Sequence, residues 1–201
     1  CLGISADLNF SDIDENLINN SEIIYLEGYL VSSDPCFETS KKIIKIGRTR
    51  NVKISISLSD PNIVKAFKSR LESWMTVPID FLFCNFEEAK SFCESEEIKS
   101  IKNSLLKVAK NIFITDGSNG AFVITKNFAK KIDGFPAKAI DTNGAGDMFA
   151  GGVLNLIAKE KTLEEAAKFG CFLASKGVET IGPRLKQEDY LKLYEKFLKI
   201  N

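Results

Sequence analysis

Short β-rich runs alternate with helically spaced segments along the first half of the chain, and this alternation restricts the available folds more than any other feature. Ile23-Ile24-Tyr25-Leu26 ends at Glu27-Gly28, and Pro35 then opens a segment with apolar residues at Ile43, Ile44 and Ile46. Val52 to Leu58 alternates with period two until Asp60-Pro61 stops it, and Ile63, Val64, Phe67 and Leu71 follow at helical spacing. Ile79 to Cys84 is a nearly continuous apolar run, after which Asn85 begins a helix-like stretch carrying Ala89 and Phe92. A further helix closes over Leu105 to Ala109. Asn111 to Thr115 reads as a strand, and Ala121 to Thr125 returns as its hairpin partner through Ser118-Asn119-Gly120. The tail reads as helices at about 145–158, 162–176 and 186–199. Strands and helices in this order predict an α/β fold, a mostly parallel sheet flanked by helices, and such sheets bind ligands beyond the carboxyl ends of their strands.

Composition narrows the function. With 201 residues, 44% hydrophobic and 27% charged, the chain can bury one substantial core, and a single domain over 1–201 is expected. Lysine plus arginine equals aspartate plus glutamate at 27 each, so no global field draws the chain to nucleic acid or to an anionic membrane. Cys1, Cys36, Cys84, Cys93 and Cys171 make an odd count with no Cys-x-x-Cys pair, which suggests buried thiols and neither a disulfide framework nor a zinc knuckle. No window is apolar enough to span a bilayer and no secretory pattern opens the sequence, so the expected setting is cytoplasmic. There is no histidine, which excludes Ser-His-Asp triads, His-based zinc sites and imidazole shuttles. Acid–base work falls to carboxylates.

The stretch Asp141-Thr142-Asn143-Gly144-Ala145-Gly146-Asp147-Met148, followed by the apolar run from Phe149 to Ala158, reads as a glycine-rich turn opening a buried helix. Such a turn offers unpaired N–H groups and the positive end of a helix dipole to an anion. A carboxylate in the same first turn, Asp147, would repel a bound phosphate unless it acts on a neighbouring proton. The first seven residues of the stretch, Asp141 to Asp147, resemble the C-terminal signature of the ribokinase/PfkB family of carbohydrate and nucleoside kinases, and the small-residue helix Phe149-Ala150-Gly151-Gly152 agrees with it. The resemblance implies a three-layer ribokinase-like fold and ATP-dependent phosphoryl transfer to an alcohol. It matches Gly144, Ala145 and Gly146 to the anion hole and Asp147 to the base that takes the acceptor's proton.

Two further constellations carry the resemblance. Asn85-Phe86-Glu87-Glu88 has the family's Asn-x-x-Glu spacing, which implies Asn85 near the phosphates and Glu88 near magnesium; Asn85 is equally well explained as a helix N-cap and Glu88 as its capping-box partner. Thr115-Asp116-Gly117-Ser118-Asn119-Gly120 resembles the family's Thr-x-Gly-x-x-Gly turn, which implies nucleotide contact at Thr115, Gly117 and Gly120, and a plain hairpin explains it as well. By the same resemblance Asp141 and Asn143, with backbone carbonyls near Ser175 and Gly182, would line a monovalent cation site; Asp141 also reads simply as a turn former. The cofactors implied are ATP, Mg2+ and a monovalent cation.

Family members usually run to about 300 residues or more, and the resemblance covers roughly their C-terminal two thirds, without the N-terminal substrate-reading part or the lid. The chain starts at Cys1, and Leu2 to Leu8 reads like the middle of such a kinase. The acceptor is therefore left between a sugar and a nucleoside, with Ile24 to Leu30 leaning toward the adenosine kinase branch. Exposed sheet edges would favour pairing of two copies. The alternatives are a nucleotide-binding or regulatory protein that lost catalysis, and a different ribokinase-fold enzyme. The intact Asp147 counts against the former and the intact Asn85–Glu88 spacing against the latter.

Overall fold

Four of the first five α-helices begin where a side chain replaces a missing helical acceptor. The computed structural model describes residues 3–200; Cys1 and Leu2 lie outside them, as does Asn201. Helix α1 spans Glu15–Asn19, with Asp14 accepting the Asn16 N–H at 2.9 Å. Helix α2 spans Asp34–Thr49 behind Ser33, whose hydroxyl accepts the Cys36 N–H at 3.4 Å, with Pro35 in the first turn, where a missing N–H costs nothing. Helix α3, Pro61–Trp74, starts at Asp60, which accepts from Asn62 and Ile63 at 2.7 and 3.3 Å. Helices α4 (Phe86–Cys93) and α5 (Ile98–Val108) follow.

The strands are β1 Ile23–Glu27, β2 Lys53–Ser57, β3 Ile79–Asn85, β4 Ala109–Thr115, β5 Ala121–Thr125 and β6 Ala129–Ile132, hydrogen-bonded in that order in one six-stranded sheet. β1, β2 and β3 are parallel, with Ile24 opposite Ile54 and Ile56 opposite both Leu26 and Leu82. β4 and β5 are linked by only five residues, closed by the Asp116 N–H on the Gly120 carbonyl at 2.8 Å; no crossover fits there, so the sheet is mixed. Ile54, Ile56, Leu82, Ile112, Phe113 and Ile114 are fully buried, the near-continuous burial expected of strands covered on both faces.

Two departures from the sequence reading have local causes. Ala109 belongs to β4 and does not close a helix, because it is buried in the sheet and its successors are tied to Asp80 of β3. Lys110 pairs with that carboxylate at 2.8 Å, and Asn111 Nδ2 donates to the Asp80 carbonyl at 2.9 Å. Strand β6 was not anticipated, since only Ile132 in Ala129-Lys130-Lys131-Ile132 is buried; lysines on a terminal strand are a common guard against stray pairing.

Packing divides the chain into two compact units. One runs to Ile114 and takes in Ile124–Asn127; the other comprises Thr115–Val123 and Phe128 onward. The second unit holds α6 (Ala145–Ala158), α7 (Leu163–Gly177) and α8 (Gln187–Ile200). Thr162 and Glu165 form a reciprocal capping box at the start of α7. Phe197 of α8 closes on Phe169 and Phe172 of α7, with ring centroids 4.9 and 5.7 Å apart. Helices α6 and α7 touch backbone to backbone: a Cβ on Gly170 would stand 2.8 Å from the Phe149 carbonyl oxygen and from Val153 Cγ2.

That contact reverses the usual sign of a helix substitution. Gly170→Ala should destabilise the protein by about 1–3 kcal/mol through overpacking, although alanine is the better helix former by about 1 kcal/mol. Gly151→Ala, whose Cβ meets no atom within 4 Å, should be neutral or stabilising by up to about 1 kcal/mol. Urea unfolding followed by circular dichroism distinguishes the two, and equal midpoints would refute the packing argument.

Candidate active site

The turn before α6 is assembled around one carboxylate. Asp141 Oδ1 accepts the Asn143 N–H at 2.9 Å and Oδ2 accepts the Gly182 N–H at 2.9 Å. These two bonds, first that of Asn143 and then that of Gly182, hold the Asp141 carboxyl below the usual carboxylate range. The Ile140 and Asp141 N–H groups both donate to the Val178 carbonyl, at 2.7 and 3.2 Å, so the segments 140–144 and 178–183 are stapled together. Gly144 then turns left-handed at φ 74°, and the space its Cβ would need is filled by Pro183, whose carbonyl oxygen and Cα would lie at 2.5 and 2.7 Å. No other residue type meets both conditions.

This turn determines which amides remain available. The Ala145 N–H is engaged by the Thr142 carbonyl at 3.2 Å and the Met148 N–H by that of Gly144 at 2.9 Å. The amides of Gly146 and Asp147 have no carbonyl acceptor among the described residues, as the first turn of a helix requires. Gly146 and Asp147 are exposed, whereas Met148 is buried, its sulfur receiving the Tyr190 hydroxyl at 3.3 Å. A helix N-terminus with two free amides and an exposed carboxylate can seat an anion and take up a proton beside it.

In the other unit, Asn85 and Glu88 form a complete capping box at the start of α4. Asn85 Oδ1 accepts the Glu88 N–H at 2.8 Å, Glu88 Oε2 accepts the Asn85 N–H at 3.0 Å, and Glu88 Oε1 accepts from Asn85 Nδ2 at 2.7 Å. Glu88 is only 5% exposed. Burial raises its pKa, the Asn85 N–H works against that shift, and the charge of Asp60 adds to it. Burial likewise pushes the neighbouring Cys84 thiol well up, with the charge of Glu88 contributing. Among the described residues no three carboxylate or thiol side chains gather as metal ligands, and Cys84, Cys93 and Cys171 are free thiols. Cys93 is half-buried, which departs from the expectation of buried thiols, and its pKa is raised to about 11, mainly by that burial.

Thr115 ends β4, and Gly117 at φ 52° opens a short 3-10 turn, Gly117–Asn119, with open space around it. Gly120 is different: a Cβ there would lie 2.0 Å from the Ile132 carbonyl oxygen, so the hairpin itself requires that glycine. The sequence residues thus fall into three local groups: Asp141, Asn143 and Gly144 to Asp147; Asn85 with Glu88; and Thr115, Gly117 and Gly120. Sequence reasoning missed Pro183, Tyr190 and the bond from the Gly182 N–H to Asp141. The Gly182-Pro183 pair was the available signal.

The pfkB family carbohydrate kinase profile matches residues 1–189. The chain belongs to this family. Adenosine kinase 2 of Arabidopsis thaliana is 30% identical over 181 residues, covering 83% of this chain and 52% of its own length, and fructokinases stand among the relatives as well. The crystal structure of adenosine kinase from Sinorhizobium meliloti superposes with a TM-score of 0.90 at 24% identity, over 95% of this chain and 59% of that one. A Ribokinase II from E. coli, solved in complex with ATP and Mg2+, superposes with a TM-score of 0.85 at 17% identity, over 96% of this chain and 64% of that one. These likenesses establish a ribokinase-like fold. The pfkB chain spans about half the length of the relatives it matches.

Two titrations separate the constellations of this pfkB protein. A raised pKa means that the stabilisation linked to Glu88 is fully present below the ordinary glutamate value and is lost as pH rises through the folded value. Glu88→Gln keeps an acceptor for the Asn85 N–H, so it should be as stable as wild type in acid and more stable at neutral pH, whereas Asn85→Ala should cost about 1–2 kcal/mol throughout. Urea midpoints across pH measure this, and a wild type gaining on Glu88→Gln with rising pH contradicts it. Asp141 behaves oppositely: its contribution is present above the ordinary aspartate value and is lost as pH falls through the lowered one. Asp141→Ala should therefore speed hydrogen exchange at the Gly182 amide at neutral pH, and unchanged exchange would remove the staple from the account.

Proposed function

We propose that the chain is the nucleotide-binding and phosphoryl-transferring portion of an ATP-dependent kinase whose acceptor is an alcohol of a sugar or nucleoside. The observation that carries this reading is the exposed Asp147 carboxylate in the first turn of α6, directly beside the unspent amides of Gly146 and Asp147. In the proposed reaction the acceptor hydroxyl attacks the γ-phosphorus of ATP in line, the bond to the leaving β-phosphate oxygen breaks, and Asp147 accepts the hydroxyl proton. The amides meet the charge spread over the transferred oxygens. Ala145 contributes by fixing the turn, because its own N–H is held by Thr142.

Magnesium belongs to the proposal as an ion carried on the nucleotide, where it would neutralise the phosphate oxygens. Glu88 fits it through intervening water, because both carboxylate oxygens already accept from Asn85 and no protein cage stands around them among the described residues. Buried with only Asp60's like charge to perturb it electrostatically, Glu88 has reason to gain from a nearby cation. Nucleotide contact at Thr115 and Gly117, a monovalent cation beside Asp141 and Asn143, and a cytoplasmic setting rest on the family resemblance. The lean toward a nucleoside acceptor draws support from the similarity to Adenosine kinase 2.

Measured in the natural gene product with ATP and a panel of nucleosides and furanose sugars, Asp147→Asn should lower kcat roughly 100-fold or more while leaving nucleotide affinity unchanged. Wild-type turnover in that variant would remove Asp147 from the chemistry. A panel that consumes no ATP with the wild-type protein would remove the kinase reading itself.

A further inference from the structure

Two clefts open on the helical surface of the first unit, and their charges differ. One, of about 470 Å³, lies along α3 and α4 and is lined by Lys65, Lys68 and Lys90 against Glu87, Glu94 and Glu96. There the charges cancel, through Lys68–Glu94 at 2.9 Å and Lys90 with Glu87 and Glu96 at 3.0 and 3.1 Å. The other, of about 330 Å³, lies where α2 meets the end of α3, and its lining has three cations, Lys41, Lys45 and Arg48, and no carboxylate. The sequence as a whole carries no net charge, so this excess is local.

The cations of the second cleft sit at i, i+4 and i+7 of α2, on one helix face. Lys41 pairs with Glu38 at 3.0 Å, while Lys45 and Arg48 form no ion pair among the described residues. Arg48 is held in place from one side: Nη2 donates to the Trp74 and Val77 carbonyls at 3.0 and 2.7 Å. Asp80 is the carboxylate whose charge acts on it, and that carboxylate is already engaged by Lys110 at 2.8 Å and the Ile54 N–H at 2.9 Å. Burial accordingly lowers the Arg48 pKa from its ordinary value, the state of a guanidinium partly desolvated without a full counter-charge.

The remaining lining selects among anions. Ile44 and Trp74 are nearly fully buried and give an apolar floor. Thr49 and Ser73 each spend their hydroxyl hydrogen on a main-chain carbonyl, of Lys45 at 2.9 Å and of Arg70 at 2.6 Å, so their oxygens are left as acceptors. A ligand matching this wall brings a compact negative group to the cations and hydroxyl donors to the two oxygens. We propose that this cleft binds a phosphomonoester of a small polyhydroxy compound, at a site formed by α2 and the end of α3. The site is independent of the phosphoryl-transfer reading, since none of its residues takes part in that reading.

Calorimetric titration of the natural gene product with ribose 5-phosphate tests this, with ribose and inorganic phosphate as controls. Saturable binding with Kd below about 1 mM is expected, with each control at least about tenfold weaker. Lys45→Glu, at an exposed helical position, should weaken binding at least about tenfold with an unchanged circular dichroism spectrum, and Lys65→Glu in the neutralised cleft should leave it as in wild type. The proposal is overturned by absence of saturation up to about 10 mM, by equal binding in Lys45→Glu, or by a loss shared with Lys65→Glu. Inorganic phosphate binding as tightly as the sugar phosphate overturns the polyhydroxy assignment.

Discussion

A backbone that must turn left at Gly144, with Pro183 packed where a side chain would stand, decides where α6 begins. Everything chemical about that helix follows from its starting point. Had the helix begun one residue earlier or later, a different pair of amides would be left without acceptors and Asp147 would leave the first turn. The Asp141 carboxylate reinforces the constraint by gripping Asn143 within the turn and Gly182 from a segment 41 residues away. The start of α6 is thus fixed by a non-local contact between main-chain segments, with two carboxylate hydrogen bonds to hold them.

Much of this was legible in the sequence, because the signals were local. Asp60-Pro61 spelled the start of α3, the Asn85–Glu88 spacing spelled a capping box, and the 145–158 helix falls where the glycine turn and the apolar run place it. Features set by distant residues were not legible. Ala109 enters a strand because Asp80 and the sheet claim its neighbours, and Ala129 to Ile132 pair at the edge with almost no apolar pattern to announce it. The Thr162–Glu165 box was written in the sequence and was available to the same rule that found Asn85. The grip of Asp141 on Gly182 had no comparable signal beyond a Gly-Pro pair.

Glu88 has a structural role and, in the proposed reaction, a second one. Its oxygens serve the cap of α4, a role that would satisfy any helix, and a glutamine could serve it nearly as well. The structural role alone gives no reason to bury an acid beside Asp60 and beside a thiol whose own pKa the acid raises. A neutral side chain there would remove the desolvation cost altogether. In the proposed reaction a magnesium ion carried on the nucleotide would offset that residual cost.

The same accounting applies across the chain. Several ion pairs here join exposed side chains, Lys41 with Glu38 among them, and pairs of that kind contribute little to stability. Three ionic groups that form no ion pair among the described residues are more informative: Glu88 in its cap, Arg48 against two carbonyls, and Asp147 at the mouth of α6. Asp147 differs from the other two in being exposed, so water already solvates it and folding exacts no desolvation cost for its position. In the proposed reaction its cost would arise only when a phosphate settles on the neighbouring amides, and would fall once a hydroxyl comes between the two and gives up its proton. A carboxylate that is neutral for folding and unfavourable for simple anion binding suits the proposed transfer better than it would suit retention of an anion.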